Sequence, residues 1–187
     1  LSLPLAFGTR LESIPAPNAY LKASASKREE WANRLGPKTK PRVGLVWSGS
    51  TIHKNDRNRS MRLQEVLQHL PPGCEYVSLQ KEVREADREV LASSGVRHYG
   101  DALVDFTDTA ALCELMDVVV SVDTSVAHLA GALGKVTWLL LPYVPDWRWL
   151  LDRDDSPWYA SMKLYRQGTD RQWAAVLQRV GADLRGY

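Results

Sequence analysis

Two cysteines, Cys74 and Cys113, are too few for a disulfide framework and match no zinc-ligand spacing. They read as buried free thiols in a reducing compartment, which makes the cytoplasm the expected location. No stretch approaches the ~20 consecutive apolar residues of a membrane-crossing helix. The short apolar run Leu3–Phe7 lacks the basic start of a secretory signal. Charge of one sign is also missing: 24 Lys and Arg against 22 Asp and Glu leave a formal net charge of +2. No overall field therefore selects nucleic acid or an anionic membrane, and any anion must be held locally. The four histidines, at 53, 69, 98 and 128, have no metal-binding spacing. The phosphate-loop pattern G-x-x-x-x-G-K-[ST], the dinucleotide pattern G-x-G-x-x-G and the nucleophile elbow G-x-S-x-G are all absent, which disfavours a P-loop ATPase, a dehydrogenase and a serine hydrolase. Phenylalanine is scarce, at two, but there are seven tryptophans, four of them from Trp138 to Trp158.

What is present fits one core with an appendage: 187 residues, 44% of them hydrophobic. The chain begins at Leu1, and Leu1–Pro17 is apolar and broken by prolines, so it reads as a piece of a longer protein. A polar helix over 26–35 and a basic segment 36–41 complete a connector, residues 1–40. The compact unit opens at 41. Val43-Gly44-Leu45-Val46-Trp47 is a continuous apolar run, expected of a strand covered on both faces. Ser60 caps a helix carrying Leu63, Val66, Leu67 and Leu70, which stops at Pro71-Pro72-Gly73. Strands follow at 76–79, 96–99, 118–120, 137–141 and 163–165. Between and after them, helices are predicted at 83–92, 109–116 with Thr107 or Asp108 as cap, 125–133 stopping at Gly134, and 171–180. This alternation specifies an α/β fold, a Rossmann-like doubly wound parallel sheet.

In such sheets ligands bind beyond the carboxyl ends of the strands, where strand order reverses. The segment Ser121–His128 is a strand-to-helix joint that offers free N–H groups and the positive end of a helix to an anion, with Thr124, Ser125 and Val126 forming the turn. Val126, Leu129, Ala130 and Leu133 make the sheet-facing stripe, which turns Ser125 and His128 toward a cleft or solvent. Ala127, Ala130 and Gly131 are small enough for close packing. Asp123 is either the partner of a sugar hydroxyl or a capping carboxylate. The loop 48–59 carries Ser50 and the guanidinium groups of Arg57 and Arg59, which suit phosphate oxygens unless the loop is simply solvated surface. Gln80 and Lys81 end the second strand, one able to read a base or hydroxyl and the other to reach a diphosphate. Tyr143 and Trp147 stand on a proline-bounded loop that can stack on a base or sugar. Asp152-Arg153-Asp154 has the D-x-D form of metal-binding sugar transferases. The intervening arginine offers internal pairing, so no metal is assigned.

The run from Ser121 through Lys135 contains Asp123-Thr124-Ser125-Val126-Ala127-His128-Leu129-Ala130 and resembles the donor-site signature D-[ST]-x-x-x-H-L-A of heptosyltransferase-like glycosyltransferases. The wider set, Arg42–Ser60, Ser78-Leu79-Gln80-Lys81, Asp105–Ala110 and Pro145–Leu150, resembles bacterial tetratricopeptide-repeat proteins with a C-terminal glycosyltransferase domain of the heptosyltransferase-like or O-GlcNAc-transferase-like kind. The likeness covers nearly the whole chain. Arg62, Val136 and Ala160 stand where relatives often carry proline. The resemblance implies the C-terminal half of a GT-B fold: residues 1–40 end the N-terminal domain and link it to a nucleotide-sugar-binding domain, 41–187. It also implies a nucleoside-diphosphate sugar as donor substrate, no cofactor, a diphosphate cradled by Thr124 to His128, contacts from Gln80 and Lys81, and Asp123 near donor hydroxyls. The acceptor, a protein, lipid or saccharide, and the catalytic base fall to the missing domain, so no catalytic residue is named and the fragment alone is expected to be inactive. Two alternatives are a degenerate domain acting as an interaction module in a repeat protein, and a GT-B-type nucleotide-sugar epimerase.

Overall fold

Strand-forming runs of Val, Leu and Trp that are buried at every position need cover on both faces, and three segments meet that condition: Arg42–Val46 (β1), Val118–Val122 (β4) and Thr137–Leu141 (β5). The computed structural model, which describes residues 2–16 and 18–187, joins them to Glu75–Ser78 (β2), Arg97–His98 (β3) and Met162–Arg166 (β6) in one parallel sheet of order β3-β2-β1-β4-β5-β6. Leu45 lies beside Val120 in the register of β1 on β4, where the chain order reverses. That is the doubly wound sheet expected from the alternation of elements.

The helices are Ser2–Ala6 (α1), Ala25–Leu35 (α2), Asp56–Arg59 (α3), Leu63–Leu67 (α4), Glu85–Ser93 (α5), Phe106–Glu114 (α6), Ser125–Ala132 (α7) and Ala174–Leu184 (α8). Along β5 the alternation of side chains divides the interior. Trp138 and Leu140 join the larger core with Val43, Leu45, Trp47 and Val120, whereas Leu139 and Leu141 join a smaller one with Ala127, Trp149, Met162 and Leu164.

Four boundaries differ from the sequence reading for identifiable reasons. Ser60 does not cap α4; its hydroxyl accepts from Gly49 N–H and donates to Asp56, and the Leu63 amide at the start of α4 is taken instead by buried Asp87 from α5. The cap of α6 is Asp105, in a reciprocal box with Asp108, so the helix starts three residues earlier. Helix α8 begins at Ala174 because Arg171 has φ +56°, which no right-handed helix accommodates. The connector is partly core: α2 buries Trp31 and Leu35 and lies against α6. Gly134, with φ +69°, is the left-handed stop expected after α7.

Candidate functional site

A cleft of about 530 Å³ opens beyond the carboxyl ends of β1, β2 and β4, at the reversal of strand order. Its lining contains Ser50 and Arg59 from the loop after β1, Gln80 and Lys81 after β2, and Thr124, Ser125 and Val126 after β4. Seven sequence-selected residues are thus brought together. Thr124 is the N-cap of α7 but its side chain makes no capping hydrogen bond, so among the described residues the first amides of α7 have no side-chain acceptor at the cleft wall. The opposite wall is apolar, with Leu103, Val104 and Phe106 beside Thr109. Phe106 is 56% exposed there, a large aromatic surface on the N-terminal residue of α6.

Several of these side chains are also committed internally. Gln80 is buried; its Oε1 accepts from the amides of Trp47 and Ser48 at 2.8 and 2.9 Å, and its Nε2 donates to Glu82 O at 3.0 Å. It fixes the course of the loop after β1. Lys81 Nζ donates to Val104 O at 2.9 Å, tying two walls of the cleft together on its exposed side. Arg59 is buried and spans the floor between loops: Nη1 donates to Asp123 O, while Nε has no hydrogen-bond partner among the described residues. Gly49 makes this crossing feasible, since a Cβ there would stand 2.5 Å from Arg59 Nη2.

Asp123 and His128 are not among the residues that line this cleft. Asp123 Oδ2 accepts from Trp149 Nε1 at 2.9 Å, and its Oδ1 is 3.8 Å from His128 Nε2. His128 stacks on Trp149 with ring centroids 5.1 Å apart, and its Nδ1 lies 3.0 Å from the Tyr159 hydroxyl. His128, expected to face cleft or solvent, lies outside this cleft, and its side chain is 36% exposed while one ring face stacks on Trp149. Both flanks of α7 are packed, one on the main core through Val126 and Leu129 and one on the aromatic cluster through His128 and Ala127. Burial lowers the His128 pKa, only partly opposed by Asp123, and Arg148 lowers it further. The charged imidazolium is therefore disfavoured there. Gly131 is required beside this cluster, since a Cβ would meet the Tyr159 ring at 2.6 Å.

Three further side chains separate from the set. Arg57 and Tyr143 line a different cleft, on the other side of loop 48–62. Trp147 is 46% exposed, lies edge-on to Trp158 and carries Arg148 over its ring. In the D-x-D segment, Arg153 makes two hydrogen bonds of 2.7 Å to Asp155, the internal pairing expected of it with a different carboxylate. The sequence reading missed Leu103 and Val104 as cleft walls, and Trp149 and Tyr159 as supports of Asp123 and His128. Only the aromatic density of 138–158 signalled the latter.

No family model matches the chain. Protein FlbA of Caulobacter vibrioides is 28% identical to it over 187 residues, covering 94% of this chain and 30% of FlbA. Among solved structures, that of Escherichia coli ADP-heptose LPS heptosyltransferase II superposes with a TM-score of 0.63 at 19% identity, over 94% of this chain and 55% of that one. The chain thus spans less than a third of the curated relative and about half of the solved neighbour. What the comparison with the solved structure establishes is the fold: a Rossmann-like domain of the kind found in that heptosyltransferase.

Proposed function

We propose that this domain binds the nucleoside-diphosphate-sugar donor of a glycosyltransferase, without a resident cofactor. The observation that carries the proposal is the cleft at the β1/β4 reversal, with the uncapped start of α7 on one wall and Leu103, Val104 and Phe106 on another. A diphosphate suits the first wall, where amides and the positive helix end favour negative charge. A nucleoside base suits the second, where Phe106 offers a stacking face. Arg59, bonded to the Asp123 carbonyl, and Lys81, bonded to the Val104 carbonyl, add cationic groups to the same lining. During transfer the diphosphate leaves with growing negative charge, and preformed donors of this kind stabilise it without reorganising.

The acceptor and the catalytic base belong in the same proposal to a preceding domain. Residues 1–40 would then lead out of that domain, with α2 anchoring the link on α6. The solved neighbour is a heptosyltransferase named for an ADP-linked donor, which makes ADP one ligand to test and not the assigned one.

Calorimetric titration with UDP, ADP and GDP tests the donor site. At least one is expected to bind in the micromolar range. Ser125→Asp, which is compatible with a first helical turn yet sets a carboxylate in the anion position, is expected to weaken it about tenfold or more. If all three bind only above millimolar, or if Ser125→Asp has no effect on the one that binds, the donor-site assignment is wrong.

A further inference from the structure

Loop 48–62 separates the cleft just described from a second one of about 390 Å³ at the carboxyl ends of β5 and β6, lined among others by Arg57, Arg62, Arg84, Tyr143, Arg171 and Trp173. Among the described residues Glu65 is the single carboxylate on its walls. Two of the four arginines are engaged: Arg84 with Asp56, Ser60 and the Gly49 carbonyl, and Arg62 at 3.9 Å from Asp87. Among the described residues Arg57 and Arg171 have neither an ion-pair partner nor a side-chain hydrogen bond. Exposed arginines are ordinarily solvated and mean little by themselves. Here their mounting is specific. Arg171 holds a left-handed backbone at φ +56°, a conformation that costs energy for a side chain without an Asn-like local partner and persists only where its surroundings impose it.

The imposing residue is Gln167, 8% exposed. Its Nε2 donates to the Arg171 carbonyl at 3.0 Å and its Oε1 accepts from the Tyr143 amide at 3.0 Å, so one buried carboxamide clips the loop after β6 to the loop after β5. The Arg171 guanidinium consequently lies over the Tyr143 ring, 5.5 Å from its centroid. Arg57 comes from α3, whose Asp56 is tied down by Arg84 and Ser60. Two unpaired guanidinium groups thus line one cleft, each beside residues tied down by side-chain hydrogen bonds, next to the donor cleft and on the same edge of the sheet. We propose that this second cleft is an oxyanion site, in which Arg57 and Arg171 hold a carboxylate or phosphate carried by the substrate that meets the donor or by the donor's own sugar. Planar guanidinium pairs suit such groups by bidentate hydrogen bonding. The anion site stands on the residues of this cleft; only its link to a sugar-transfer substrate rests on the function proposed above.

Inorganic phosphate, titrated while the backbone amide signals of Tyr143 and Trp173 are followed by NMR, tests it. A saturable shift is expected both in the natural chain and in Ser125→Asp, which disables the first cleft. The double variant Arg57→Ser/Arg171→Asn is expected to raise the dissociation constant about tenfold or more; asparagine keeps the left-handed backbone accessible, so the fold survives. Loss of the shifts in Ser125→Asp, or their persistence at natural strength in the double variant, overturns the proposal. Glucose and glucuronate conjugates of whichever nucleoside diphosphate binds then distinguish the source. A preference for the glucuronate that disappears in the double variant places the anion on the donor sugar, and equal binding excludes a donor-sugar carboxylate as its source. Should no nucleoside diphosphate bind at all, the donor reading falls, while the phosphate titration still decides the second cleft.

Discussion

Gln80 shows how a side chain chosen for ligand contact can serve the site from inside. At the end of a strand a glutamine reads from sequence as an exposed polar turn or as a ligand donor, because nothing in the sequence reveals which backbone groups will face it. The fold sets two amides of the loop after β1, those of Trp47 and Ser48, within 2.9 Å of its Oε1. Replacement by leucine leaves both buried N–H groups without an acceptor, at about 1–3 kcal/mol each. Gln80→Leu is therefore expected to lower unfolding stability by about 2–4 kcal/mol, measured by urea denaturation. A loss under about 0.5 kcal/mol would show that water takes over both amides and that Gln80 is not the clamp. Lys81, next along the chain, carries no such burden, being exposed and, among the described residues, bonded through its side chain to the Val104 carbonyl alone.

At the scale of elements, reading residues 1–40 as a connector leaves the packing of their second part, helix α2, unforeseen. Helix α2 reads as polar from its sequence, and one tryptophan in a charged helix gives little periodicity to place. Its anchor lies 77 residues away: buried Asp108 accepts from Trp31 Nε1 at 3.1 Å, from Lys27 Nζ at 2.7 Å and from Val104 N–H at 3.1 Å. Burial would raise the Asp108 pKa, and the hydrogen bonds from Lys27 and Trp31 more than offset it, so the carboxylate stays charged. Asp108 also closes the capping box of α6, whose first residue, Phe106, lines the donor cleft. Asp108→Ala is expected to cost about 2–4 kcal/mol through the orphaned Trp31 and Val104 donors. It should also raise amide hydrogen exchange in α2 selectively over that in β1 and β4. Unaltered exchange in α2 would mean that apolar contacts of Trp31 and Leu35 suffice to hold the helix.

Across the whole molecule, the parallel sheet and the β1/β4 crevice were legible because strand runs and helix stops are local signals. The division of the candidate residues was not, because it depends on which side of a loop each side chain falls. Arg57 and Arg59, two residues apart, enter different clefts. His128 escaped for a related reason, since its stacking partner Trp149 arrives from a loop beyond β5. That burial has a consequence for stability. The pKa values of His128 and His98 are both lowered from 6.5, chiefly by loss of water on their packed sides; His98, at an exposed position of edge strand β3, rests on the Ser78 hydroxyl. A histidine whose pKa is lower folded than unfolded takes up a proton more readily when unfolded, so stability rises with pH between the two values. The contribution is complete above about pH 7 and is lost as pH falls below 6.5. Carboxylates such as Glu75, held below an ordinary value of 4.5, lose theirs only at lower pH. Urea midpoints are therefore expected to drop between pH 7 and pH 5 in the natural chain, and to drop much less in His98→Gln/His128→Gln. The two sites are on separate elements, β3 and α7, so their effects should add. An equal drop in the double variant would place the proton-linked loss elsewhere and show that neither imidazole carries it.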